Sequence, residues 1–311
     1  MSYSLAGKRV WVAGHGGMVG AAISRRLASE SCELVTATRA ELDLTRQADV
    51  EAWMAEKKPQ AVFLAAAVVG GILANESHPI AFLTDNLQIQ TNILSSADRI
   101  GVEKLLFLGS SCIYPRLAPQ PLREDYLLTG PLEVTNQWYA IAKIAGIRQA
   151  QAYRQERGRD FISCMPTNLY GPGDNFDLAT SHVLPALIAK AHQAKAEGAA
   201  ALPVWGSGKP RRELLYVEDM AEACVFLMKN YSEDSHINVG AGSDVTIAEL
   251  AQLVSDVVGF KGALAFDASK PDGTPQKLMD CARIHALGWT ARTSLRDGIA
   301  KAYDWYRAHH A

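Results

Sequence analysis

Apolar residues in the first half of the chain alternate between two textures. Lys8–Ala13 (KRVWVA), Glu33–Thr38 (ELVTAT), Lys104–Leu108 (KLLFL) and Asp160–Met165 read as strands, and Ala61–Ala66 (AVFLAA) as a strand buried on both faces. Between them, Met18–Ser29, Asp49–Glu56, Pro79–Ile100 and Tyr139–Glu156 carry helical spacing. In the third of these, Ile80, Leu83, Leu87, Ile93, Leu94 and Ala97 fall on one stripe. Strand–helix alternation predicts an α/β fold with a doubly wound, mainly parallel sheet covered by helices on both faces.

Beyond about Tyr170 the texture changes. Gly, Pro and Asn loops dominate Asn168–Ser181. A helix follows over His182–Lys195, then short strands near Leu202–Trp205 and Glu213–Tyr216. Helix Val217–Lys229 and strand His236–Val239 read as a return to the sheet, and Thr246–Ala311 mixes helices with short strands. The pattern predicts a larger domain, 1–170 plus about 214–240, and a smaller mixed α/β domain, 171–213 with 241–311. The cleft between them is the expected binding site.

Composition narrows the function classes. The chain has 311 residues, 48% apolar and 21% charged, and 31 Lys plus Arg against 33 Asp plus Glu give a net charge of −2. Such a chain lacks the cationic field that nucleic acid or an anionic membrane selects. No run reaches the ~18 apolar residues of a membrane helix, and the first residues are no secretory signal. Cys32, Cys112, Cys164, Cys224 and Cys281 are scattered without a CxxC, which reads as reduced thiols of a cytoplasmic protein, with no metal site expected.

Gly14, Gly17 and Gly20 form GxxGxxG between the first strand and the first helix. A tight turn needs glycine there, and the helix N-terminus presents free N–H groups to a pyrophosphate. Placed so, the motif points to dinucleotide binding rather than a plain tight turn. An NAD site carries an acid at the end of the second strand, but this strand ends Thr36-Ala37-Thr38-Arg39, with no acid before Glu41. Arg39 suits a 2′-phosphate better than a merely solvated role, which points to NADP(H).

Tyr139 and Lys143 form YxxxK, one turn apart on one helix face. They follow the fourth strand, whose end carries Gly109-Ser110-Ser111-Cys112, and ligands of open parallel sheets sit at such strand ends. A ketone reduced by hydride becomes an alkoxide that needs a proton. Tyrosine, with a pKa of ~10, gains from a nearby ammonium that favours its phenolate, and Ser110 can hydrogen-bond the same oxygen. The alternative is a half-buried Tyr beside a snorkelling Lys.

These features together resemble the extended short-chain dehydrogenase/reductase superfamily, a Rossmann-like group: the glycine turn, Ala65-Ala66-Ala67 after strand three, the serine ending strand four and YxxxK. Longer strings are similar to its GDP-L-fucose synthase family: AGHGGMVG (13–20), GSSCIYP (109–115), YAIAKIAGI (139–147), MPTNLYGP (165–172), SHVLPAL (181–187), VWGSGKPRREL (204–214) and FDASKPDGTPQK (266–277). The resemblance implies a GDP-linked 4-keto sugar as substrate, NADPH-dependent 3,5-epimerisation and 4-reduction, and a homodimer. It implies a reductase triad of Ser110, Tyr139 and Lys143. It also implies Cys112 and His182 as acid–base residues on opposite faces of a sugar whose C3 and C5 protons are acidified by the C4 ketone. The bland readings of those two are a small buried Cys and a helix-capping His.

By the same resemblance, Gly14, Gly17, Met18, Val19, Gly20, Arg39, Leu108, Gly109, Ser110, Lys143, Pro166, Thr167, Asn168, Leu169 and His182 border the cofactor. Asn168, Lys190, Trp205, Arg212 and Asp272 match substrate positions, with Lys190 and Arg212 as cations for the diphosphate and Trp205 as an aromatic face. Two positions depart from the pattern. Gly16 stands where the family often has a basic residue, and Trp138 precedes the catalytic tyrosine, where its bulk could reshape the sugar pocket. A related GDP-keto sugar, or inversion of one centre only, is therefore an alternative. A 4,6-dehydratase is disfavoured because Ser111-Cys112 stand where its carboxylate pair belongs. A 4-epimerase has no need of Cys112 with His182, and a non-catalytic NADP-sensing protein has no need of the triad.

Overall fold

In a computed structural model the chain is described over residues 2–178, 180–270 and 272–310; Pro271, within the last of the quoted strings, lies outside them. Strands β1 (Arg9–Ala13), β2 (Glu33–Val35), β3 (Ala61–Leu64), β4 (Lys104–Leu108) and β5 (Asp160–Pro166) alternate with helices. The helices are α1 (Met18–Leu27), α2 (Gln47–Lys57), α3 (Ile72–Ser77), α4 (Asn86–Ile100) and α5 (Gln137–Arg157). Then come β6 (Asn168–Tyr170), α6 (Val183–Ala196), β7 (Ala201–Trp205), β8 (Arg211–Tyr216), α7 (Val217–Asn230), β9 (Ile237–Val239) and β10 (Asp244–Thr246). The chain closes with α8 (Ile247–Val258), β11 (Ala263–Asp267), β12 (Gln276–Lys277), α9 (Ala282–Ala286) and α10 (Leu295–His310).

The main sheet has six parallel strands in the order β2-β1-β3-β4-β5-β9. Every residue of β3 and β4 is buried, as continuous apolar runs between two helical layers must be. Chain order reverses between β1 and β3, which opens a crevice at their carboxyl ends. The return of β9 beside β5 matches the sequence pattern. A second set of strands joins β8 to β6 and β12 in parallel and to β10 antiparallel, and β7 pairs with β11.

Two apolar clusters result. One packs the main sheet with its helices and takes in Met279, Cys281, Ile284 and Trp289 from near the C-terminus. The other gathers Tyr170, Leu187, Leu214, Leu250 and Ile299 around β7, β8, α6, α8 and α10. Among the described residues no helix is long and apolar enough to cross a membrane.

The long stripe over Pro79–Ile100 departs from the sequence reading. Residues Ala81–Asp85 form a π turn before α4, and the wider turn rotates the residues ahead of it off the stripe. Ile93, Leu94 and Ala97 are buried as expected, but Ile80 is 75% exposed. The second strand is also shorter than its apolar run, ending at Val35, so Thr36–Arg39 belong to the turn at the crevice.

Because Phe63 sits in the middle of the sheet with no exposure, Phe63→Ala should cost about 3–5 kcal/mol of stability. Urea unfolding followed by circular dichroism checks this; a loss under about 1 kcal/mol would contradict burial on both faces.

Candidate active site

The glycine loop lies at the crevice between β1 and β3. Gly14 has φ +89°, and a Cβ there would stand 2.7 Å from the Ala66 backbone; one on Gly20 would stand 2.0 Å from the Gly14 carbonyl oxygen. Only glycine lets the turn lie flat against the end of β3. Gly17 caps α1 without a side-chain hydrogen bond, so the N–H groups of Met18 and Val19 begin a helix whose positive end faces the crevice. This cradle fits the pyrophosphate of a dinucleotide. Gly16 is exposed and a Cβ there would meet nothing, so the missing basic residue leaves open space. Arg39 is exposed on the turn after β2.

Leu108 and Gly109 end β4, and Pro166 and Thr167 end β5, on the same edge. Helix α5 crosses β4, pinned by Gln90 Nε2 donating to the Ala142 carbonyl (2.7 Å). That crossing buries Lys143, whose ammonium donates to the Leu108 carbonyl at 2.8 Å. It lies 4.8 Å from the centre of the Phe107 ring and 5.6 Å from that of Tyr139. Burial brings the Lys143 pKa down to about 8. Tyr139 is held edge-on against Phe82. Its phenol is pushed up, first by burial and then by negative charge at Cys112. This corrects the expectation of a phenol lowered by its lysine neighbour. Desolvation of the phenolate outweighs an ammonium itself weakened by burial, so the Tyr139 phenol stays neutral.

Ser110 accepts the Cys112 N–H on its Oγ (3.3 Å), the cap of a short 3₁₀ turn over Ser111–Ile113. Its own proton is then available to an oxygen in the crevice. The turn carries Cys112 to the wall of a small cavity lined also by Arg116, Glu133, Asn136 and Gln276. Two donors meet the Cys112 sulfur: Asn136 Nδ2 at 3.3 Å and Lys277 Nζ at 3.5 Å. Sequence reasoning missed both. Lys277 is 165 positions from Cys112, and no periodicity links them.

His182 precedes α6 at its N-cap but makes no side-chain cap bond, so the capping role does not hold. The loop before it is tied down by the Gly71 N–H donating to the Thr180 carbonyl (3.1 Å). Asn75 in turn donates to the Gly70 and Gly71 carbonyls at 3.0 and 3.1 Å. The ring is open to solvent yet set among protein walls; that burial, then the Lys277 charge, lowers its pKa. Lys277 thus bears by its charge on His182 and touches the Cys112 sulfur.

The five substrate positions form two neighbouring groups. Lys190 lies 4.7 Å over the ring of Trp205, which is 49% exposed, and Lys270 lies 5.4 Å from the same ring. Arg212 donates to the Arg211 and Thr274 carbonyls at 2.8 and 2.7 Å. Asp272 accepts the N–H and hydroxyl of Ser207, both at 2.7 Å, and these bonds lower its pKa. Asn168 Nδ2 donates to the Glu213 carbonyl at 2.9 Å. Trp138 is 38% exposed and shares a helix face with Ile141, itself exposed; it does not line the Cys112 cavity. Sequence reasoning also passed over Asp174, which burial pushes up to about 7 and whose neighbour Gly173 lies beside Met18.

Residues 10–240 match the NAD dependent epimerase/dehydratase family. A GDP-L-fucose synthase of Sinorhizobium fredii is 60% identical over 97% of this chain and 96% of its own length. Among solved structures, a GDP-6-OMe-4-keto-L-xylo-heptose reductase from C. jejuni superposes with a TM-score of 0.93 at 35% identity over the whole of both chains. A GDP-L-fucose synthetase from Naegleria fowleri bound to NADP gives 0.90 at 28% identity, over 99% of this chain and 97% of that one. The chain belongs to the NAD dependent epimerase/dehydratase family, and its near relatives within it are GDP-L-fucose synthases.

Proposed function

We propose that this chain converts GDP-4-keto-6-deoxy-D-mannose to GDP-L-fucose, inverting C3 and C5 and reducing C4, with NADP(H) as cofactor. The observation that carries the reading is the electrostatic linkage of a thiol just past β4 and a phenol at the start of α5 with an imidazole at the start of α6. Charge at Cys112 acts on Tyr139, and the Lys277 ammonium acts on both Cys112 and His182. The full-length likeness to GDP-L-fucose synthases and to an NADP-bound neighbour supports the substrate and cofactor.

In this reading residues 1–170 with about 214–240 hold the cofactor, and 171–213 with 241–311 hold the sugar nucleotide, although Met279, Cys281, Ile284 and Trp289 pack back against the main sheet. The glycine loop and the α1 N-terminus take the pyrophosphate, Arg39 the 2′-phosphate, and Lys143 with Pro166–Leu169 and His182 the nicotinamide end. Bound there, NADPH supplies the hydride for C4. Asn168, Lys190, Trp205, Arg212 and Asp272 take the GDP-sugar.

Cys112 removes a proton from C3 or C5, the C4 ketone delocalises the resulting pair as an enolate, and His182 returns a proton to the opposite face. Tyr139 gives its phenolic proton to the C4 oxygen during reduction, while Ser110 donates a hydrogen bond to that oxygen. Lys143 holds the tyrosine's surroundings positive. We further propose a cytoplasmic homodimer, with Trp138 and Ile141 on its contact face.

Tyr139→Phe should stop reduction, by about a thousandfold or more, yet leave deuterium exchange at C3 and C5 intact. Cys112→Ala should lose inversion while still binding NADP(H); fully inverted product at the parent rate contradicts the assignment. A product inverted at one carbon moves the chain to the single-inversion reductases.

Lys143 carries its charge below about pH 8 and loses it above. Reduction should therefore fall as pH rises through about 8, and Lys143→Arg, which stays charged, should flatten that limb in whatever activity it keeps. Stopped-flow loss of NADPH absorbance across pH reads this, and an unchanged limb in the variant would rule Lys143 out as its origin.

A further inference from the structure

Lys277 has no counterpart among the residues assigned above to cofactor or substrate. Its backbone is fixed by β12, which pairs with Arg211 and Arg212 of β8. The residues after it are anchored on both sides. Leu278 N–H donates to Gln120 Oε1 (2.9 Å), and its carbonyl accepts the Leu122 N–H (2.7 Å). Met279 N–H donates at 2.8 Å to the carboxylate of Glu213, a fully buried acid that also accepts the Gly242 N–H at 2.7 Å. A flexible lysine stem therefore leaves a rigid base, and its ammonium reaches Cys112 Sγ at 3.5 Å. Asn136 also faces that sulfur, at 3.3 Å, and charge there bears on the Tyr139 phenol. Across the cavity, Glu133 is paired with Arg116 at 3.2 Å. Among the described residues, Lys277 is the one cation in contact with the sulfur.

We infer that Lys277 is a catalytic residue of the epimerisation half: its ammonium donates to the Cys112 sulfur and holds it as the thiolate that takes the sugar's protons. The inference rests on the proposed function and supplies what that reading needs, because a thiolate and not a thiol is the base. In each inversion the C–H bond breaks, its electron pair passes into the enolate of the C4 ketone, and an S–H bond forms; between inversions the thiol gives that proton to water and the imidazole regains one from water. On the other face an N–H bond of protonated His182 breaks and the new C–H bond forms. Lys277 keeps its proton throughout, and no oxidant or reductant is consumed. The same positive charge weakens the hold of His182 on its proton, so one lysine favours a charged base and a readily donating acid.

The test reads the sulfur directly. The full-length enzyme, without substrate, is treated with iodoacetamide at neutral pH, and alkylation of Cys112 is followed by peptide mass spectrometry. Half-buried Cys32 serves as an internal standard. Lys277→Met and Lys277→Gln should slow Cys112 alkylation about tenfold, as expected for loss of a unit charge beside a sulfur open to water. Lys277→Arg should stay within about threefold of the parent, since it keeps the charge. Lys277→Gln carries the test if the methionine variant does not fold. Equal Cys112 rates in the parent and the neutral variants overturn the inference. Turnover is not required, so the two readings fail separately. A parent enzyme that alkylates fast, slows in the neutral variants, yet exchanges no sugar protons keeps the lysine–thiolate contact and overturns only its use in epimerisation.

Discussion

Six strands of the main sheet run the same way, so all six finish on one edge. At that edge the ladder stops, and the last carbonyls and the first N–H groups of the following turns need partners other than the sheet. The glycine turn after β1, Ala65–Ala67 after β3, Gly109–Cys112 after β4 and Pro166–Thr167 after β5 are brought together for this reason alone. One helix, α5, then crosses β4 closely enough to set the Lys143 ammonium on the Leu108 carbonyl. That contact sets Tyr139, one turn before Lys143 on the same helix, while Ser110 and Cys112 follow from the 3₁₀ turn at the end of β4.

Charge is handled differently at the two ends of the crevice. Beneath Tyr139 the lysine is buried, and burial costs it much of its hold on its proton. The phenol beside it is kept neutral by the same dryness. Near Cys112 the second lysine is only half-buried and reaches the thiol sulfur at 3.5 Å. A site that must both donate a proton to an alkoxide and withdraw protons from carbon gains from this contrast.

Much of this was legible in the residues. KLLFL marks β4 to the residue, and the spacing of Tyr139 and Lys143 places both on the face of α5 that meets it. The glycine turn lies where the strand–helix order puts it. The misreadings have particular causes. Ile80 leaves its stripe because a π turn adds a residue to the period, which apolar spacing alone does not reveal. The Tyr139 phenol moves opposite to expectation because pairing it with a cation is visible in sequence whereas its desolvation is not. Lys277 stayed hidden because its meeting with Cys112 is made by β12 pairing with β8, a contact across the whole fold, and Asn136 because it reaches the sulfur only from the turn that opens α5. Lys277 does fall in a string carrying the family resemblance, but nothing in that string says what its side chain touches.

On the proposed reading one crevice performs proton exchange at two carbons as well as hydride delivery to a third. Turnover of GDP-4-keto-6-deoxy-D-mannose with NADPH in heavy water, with the product read by NMR, tests it most directly. A reduced sugar carrying deuterium at both C3 and C5 is expected. A reduced sugar with protium at both positions would contradict it, leaving a reductase in which Cys112 and His182 play no part in acid–base chemistry.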